Sequence, residues 1–119
     1  MNEKRTNPHF LNGVPELLIL HLLSTTPMHG YELVEAIRQK TRQQLQFAEG
    51  CIYPLLHRLK SAGLLSSRRE TVGGRSRVVY RVTAKGRKQL SDTRLTWQKV
   101  VQAVSEVLRE QKDEQPALG

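Results

Sequence analysis

The chain has 119 residues, a formal net charge of +8 and a single cysteine. That length suits one domain with limited burial per residue, and one cysteine excludes a disulfide framework or a multi-thiolate metal site. No run approaches the roughly 18 apolar residues that cross a bilayer, and MNEKRTNPHF lacks a charged-then-apolar export pattern, so the expectation is a soluble cytoplasmic chain with no membrane partner and no cofactor.

Residues 1–11 are polar and read as a flexible arm. Gly13–Ser24 (GVPELLILHLLS) turns helical, with Pro15 and Glu16 suited to a first turn and leucine or isoleucine on almost every side. In a small chain such a helix calls for two surfaces to pack on, one its own domain and the other a second subunit. Thr25–Gly30 is a breaker-rich turn, and Tyr31–Lys40 a helix with Leu33, Val34 and Ile37 on one face. A polar connection over 41–50, pinned by Leu45 and Phe47, follows.

In Glu49–Gly63 (EGCIYPLLHRLKSAG), Ile52, Leu55, Leu56 and Leu59 make one apolar stripe. Tyr53, Pro54, His57 and Ser61 fall opposite, flanked by Arg58 and Lys60. The helix is predicted to begin near Cys51 or Ile52, which keeps Pro54 in the first turn where its missing N–H costs little. Gly63 is the expected left-handed stop. Such a helix fits a DNA major groove, although a solvated surface helix has the same pattern.

Leu64–Arg69 and Arg77–Val82 then read as strands around a loop, Glu70–Ser76, in which Gly73 and Gly74 supply the turn. Thr83 is a good cap for the last helix, and Gly86 weakens its first turn. From Ala84 to about Lys112, Leu90, Trp97, Val101, Val104 and Leu108 form a heptad-like seam with Arg94 at the missing position. The whole is expected to be mainly α with a small β-wing: a winged helix-turn-helix over 12–83, a dimerisation helix over 84–112 and a frayed tail over 113–119.

Charge is concentrated behind the candidate recognition helix. Ser66–Lys88 carries eight basic residues and one acid, +7, against +2 for the 65 residues before and −1 for the 31 after. Such asymmetry is the footprint of a polyanionic partner. Arg68, Arg75, Arg77 and Lys60 are assigned chiefly to phosphate or minor-groove contacts, and Tyr53 and His57 to base edges. Arg58 serves the same surface or forms an ion pair with an acid such as Glu32 or Glu35. An enzyme is not supported: the acids form no metal-binding motif, His9, His21, His29 and His57 are scattered, and no phosphate loop is present.

LILHLLSTTPMHGYEL, GCIYPLLHRLKSAGLL, GGRSRVVYRVTAKG and the tryptophan-bearing last helix together resemble the PadR family of bacterial transcriptional regulators, from about Leu11 to Leu108. The single C-terminal helix is similar to that of the small subfamily. The resemblance implies a homodimeric repressor whose paired recognition helices read a partly palindromic operator in double-stranded DNA. It puts Tyr31, Tyr53, Pro54 and His57, and the wing-tip Gly74, Arg75, Ser76 and Arg77, on the DNA. It also implies that Leu17 and Leu20 of the first helix meet Trp97, Val101, Val104 and Leu108 of the last across the dimer, where some members bind flat hydrophobic or phenolic effectors. Two departures stand out: Arg68-Arg69 replaces a common wing tryptophan, and Val78-Val79 a usual Lys-Tyr pair. Trp97 on the heptad seam reads most simply as a dimer-core aromatic, with a ligand platform as the second reading, and an effector-independent or architectural DNA-binding dimer remains the alternative. Cys51, near a helix N-terminus and basic residues, meets conditions that lower a thiol's pKa, but the preferred reading is a small residue that happens to be cysteine.

Overall fold

A computed structural model describes residues 13–118, with side chains as far as residue 109; the expected arm lies outside them. The elements are α1 (Val14–Thr25), β1 (Met28–His29), α2 (Gly30–Lys40), α3 (Glu49–Ser61), β2 (Leu65–Val72), β3 (Arg75–Val82) and α4 (Ala84–Leu118). The strands form one antiparallel sheet in the order β1-β3-β2. Ile19, Leu20, Leu33, Ile37, Ile52, Leu56 and Leu59 are wholly enclosed where α1, α2 and α3 meet the sheet.

The expected second subunit is not needed to bury α1. Val14, Pro15, Leu17, Ile19, Leu20, Leu22 and Leu23 are all buried within this chain, because α1 packs at once against α2, β3 and α4. Leu20, grouped in the sequence with dimer and effector residues, is 0% exposed and has no surface to offer a partner. The unmet demand for cover lies on α4, where Leu95, Trp97, Val100, Val101, Val104, Val107 and Leu108 are exposed.

Three local expectations change. α3 starts at Glu49, two residues before Cys51, so Pro54 sits inside the helix instead of in its first turn. The bond that its nitrogen would donate to the Gly50 carbonyl is therefore forgone. β1 forms within a stretch expected to be only a turn: Met28 and His29 pair with Tyr80 and Val79, a partnership that no two-residue pattern announces. The wing strands run further than expected, so that Gly73 and Gly74 alone make the turn, both with positive φ (58° and 80°). Two successive left-handed residues suit the tight hairpin turns that match strand twist.

α4 continues to Leu118, past the expected frayed tail at 113. Its start is anchored by Thr83, whose hydroxyl accepts the Gly86 N–H (3.0 Å) and donates to the Gly63 carbonyl (2.7 Å). Gly86 does more than weaken the turn: a Cβ there would overlap the Leu64 carbonyl and the Val82 side chain. Only glycine allows α4 to approach the sheet this closely.

Candidate nucleic-acid interface

The recognition-helix candidate is amphipathic as its sequence requires. Ile52, Leu55, Leu56 and Leu59 are buried, while Cys51, Tyr53, Pro54, His57, Arg58, Lys60 and Ser61 face solvent. α3 ends as expected at Gly63 (φ 82°). The Gly63 N–H bonds the Lys60 carbonyl and the Leu64 N–H bonds the Leu59 carbonyl, each at 2.9 Å, the paired reverse bonds of a glycine-terminated helix. Lys85 of α4 donates to the Ala62 carbonyl at 2.9 Å. α3 is thus clamped to the base of α4.

Tyr53 is 36% exposed because one side of its ring rests on Gly30, where any Cβ would overlap the ring. This ties α3 to the first turn of α2, where Tyr31, the residue after Gly30, is also exposed. Tyr80 lies beneath. Burial pushes its phenol above the ordinary value, and the neighbouring Tyr53 adds to the shift. The α2 start is held by Glu32, whose carboxylate accepts the His29 N–H at 3.0 Å; His29 itself is buried.

In the wing, register decides which side chains act together. The Cα pairs Ser66↔Arg81, Arg68↔Val79, Glu70↔Arg77 and Val72↔Arg75 put Arg68, Arg75, Arg77 and Arg81 on one face, away from the helices. On that face Glu70 accepts hydrogen bonds from Arg81 (2.7 Å) and Arg68 (3.4 Å). The bond from Arg81 holds the Glu70 carboxyl below its ordinary value against the opposing effect of desolvation, with Arg68 adding. Arg68 is therefore partly neutralised, while Arg75 and Arg77 have no acidic partner among the described residues. Ser76 occupies the opposite face, where it accepts a bond from Arg69 at 3.2 Å. Arg69 was not among the sequence candidates; period-two alternation from Arg68 would have placed it on the other side.

Arg58 pairs with neither Glu32 nor Glu35. Its Nη1 lies 3.8 Å from Oε1 of Glu16 on α1, while Glu32 and Glu35 approach His29 and Arg38. Cys51 is exposed and unpaired in the first turn of α3.

α1 runs along the first half of α4, and Trp97 separates two open grooves. One, of about 320 Å³, is lined by Leu17, Leu18, His21, Arg94, Trp97 and Gln98; the other, of about 240 Å³, by Gly13, Val14, Leu17, Thr93, Thr96, Trp97 and Val100. Leu17 is the α1 residue common to both. Val101, Val104 and Leu108 continue the exposed stripe beyond α1. No helix among the described residues is long and apolar enough to cross a membrane, and no three of their histidine, cysteine, aspartate or glutamate side chains converge on a metal site.

A helix pair followed by a hairpin wing and one long helix is the outline of a winged-helix protein. Residues 19–92 match the Transcriptional regulator PadR-like family. The chain belongs to that family. It is 35% identical over 95 residues to Transcriptional regulator Rv3488 of Mycobacterium tuberculosis, an alignment covering 80% of this chain and 86% of the relative. A solved PadR-like transcriptional regulator from Bacillus cereus (BC4206) is similar at a TM-score of 0.75 and 31% identity, with 85% of this chain and 97% of that one covered. A transcriptional regulator from Clostridium thermocellum gives a TM-score of 0.77 at 25% identity, over 83% of this chain and 97% of that one. This PadR-like chain is a winged-helix transcriptional regulator, a DNA-binding role.

Proposed function

We propose that this PadR-like chain acts as a homodimeric, sequence-specific repressor in the cytoplasm, reading a partly palindromic operator with α3 and gripping phosphates with the wing. The observation that carries the reading is the outward face Tyr53, Pro54, His57, Lys60 beside a hairpin whose Arg75 and Arg77 lack acidic partners. Base-edge contacts from the helix would give sequence choice, while the arginines would supply affinity and register. The uncovered apolar stripe of α4 supports dimerisation: Trp97, Val101, Val104 and Leu108 offer a second copy the apolar surface that one chain leaves in water. The grooves flanking Trp97 support release by a flat hydrophobic or phenolic effector, since a planar ring can stack on an exposed indole.

Selection of bound duplexes from a random DNA pool, with and without flat aromatic compounds, tests the reading. A recovered motif with two related half-sites and lower yield in the presence of a compound is expected. Uniform recovery of all sequences would support an architectural protein instead, and recovery indifferent to every compound would remove the effector.

A further inference from the structure

We infer that Glu16 is a specificity-determining residue: it holds Arg58 against α1 while the protein is off its operator, and yields it to a DNA phosphate when α3 seats. This rests on the proposed reading of α3 as the recognition helix. The pair joins two elements with different freedom. Glu16 stands in the first turn of α1 between the buried Pro15 and Leu17, so its backbone is fixed by the core. Its side chain is 25% exposed, whereas that of Arg58, on the flank of α3 next to His57, is 67% exposed. The 3.8 Å separation is a charge contact without a hydrogen bond. A carboxylate held at that distance attracts the guanidinium and is readily displaced by a phosphate that reaches bonding distance.

Among the described residues no other acid does this for α3. Glu32 and Glu35 are engaged on α2 with His29 and Arg38, and among the described residues Glu16 is the acid paired with a basic side chain of α3. Non-operator DNA, not drawn in by base contacts, meets Arg58 while Glu16 still holds it and gains little from its charge. Operator DNA, drawn in by base contacts, displaces Glu16 and recovers the full charge. Glu16 thus subtracts more from random binding than from specific binding. It widens the ratio on which target choice depends.

The test compares wild type, Glu16→Gln, Arg58→Gln, the double variant and Asp92→Asn, which alters net charge equally but lies on α4 beside Lys88. Each is titrated on random-sequence duplex and on the operator recovered by selection, over a range of salt. Glu16→Gln is expected to tighten random-DNA binding about two- to fivefold, the range of a released surface ion pair. It should also steepen the salt slope by up to about 1.8 for two protomers. The double variant should lose both changes. Arg58→Gln alone should weaken operator binding and leave random-DNA binding nearly unchanged, a result that does not depend on how well Glu16→Gln folds. If wild type binds DNA with a steep salt slope but Glu16→Gln behaves like Asp92→Asn, or Arg58→Gln weakens both DNAs equally, this inference falls and the proposed function stands. If wild type shows no salt-dependent binding to any duplex, both fall.

Discussion

The hydroxyl of Thr83 donates a hydrogen bond to the carbonyl of Gly63 across 2.7 Å, so the residue that caps α4 also grips the residue that ends α3. The Thr83 N–H bonds the Leu64 carbonyl (3.0 Å), and Lys85 bonds that of Ala62 (2.9 Å). The base of the long helix and the end of α3 are therefore one joint. A change in the tilt of α4 would carry α3 with it.

That joint should be sensitive to single atoms. Thr83→Ala is expected to cost about 1 kcal/mol through the lost cap. Gly86→Ala, whose methyl would overlap the Leu64 carbonyl, should cost about 3 kcal/mol because backbone cannot swing aside as a side chain can. Urea unfolding of both variants checks the order; an alanine at 86 that stabilises the protein would mean that the close approach is not there.

Tyr53 should matter for sequence choice. Tyr53→Ala is expected to lower operator affinity by about 1–3 kcal/mol, the range of a base-edge contact, with a smaller loss on random DNA. Gly30→Ala must displace the ring that rests on it and should reproduce the same selective loss. Parallel titrations on the two DNAs decide, and equal losses on both would assign Tyr53 to phosphate contact.

The wing arginines should act without regard to sequence. Arg75→Ala together with Arg77→Ala is expected to weaken all duplexes alike and to flatten the salt slope by about 0.9 per lost contact. An unaltered slope in salt titrations would remove these residues from the phosphate surface.

Leu20 and Val104 should separate folding from assembly. Leu20→Ala, inside the core, should cost about 3 kcal/mol of stability and leave the oligomeric state intact. Val104→Lys, on the exposed stripe, should keep the fold and yield monomers in sedimentation. A dimer that survives Val104→Lys would place the interface elsewhere.

Glu70 should titrate below its ordinary value of 4.5. Its folded-state pKa is depressed, so the stability from its arginine bonds is fully present above the unfolded value and lost as pH falls through the folded one. Carboxyl chemical shifts followed by NMR should show a midpoint under 4.5 that Arg81→Gln moves upward. An unmoved midpoint would assign the shift to another cause.

The sequence by itself determined which stretches become helices and which a hairpin, because amphipathic period and turn residues act over a few neighbours: the stripe from Ile52 to Leu59, the stop at Gly63, the Gly73-Gly74 turn and the cap at Thr83 all depend on local stereochemistry. Its crowding of arginines behind α3 likewise announced a polyanionic partner. Only the tertiary structure decided partnerships between distant residues. It gave Arg58 to Glu16 and not to Glu32 or Glu35, laid Tyr53 on Gly30, and buried Leu20 in its own chain while leaving the α4 stripe bare. Periodicity states which face of a helix is apolar, but how helices cross states what that face meets, and the crossing is set by the packing of the whole core at once.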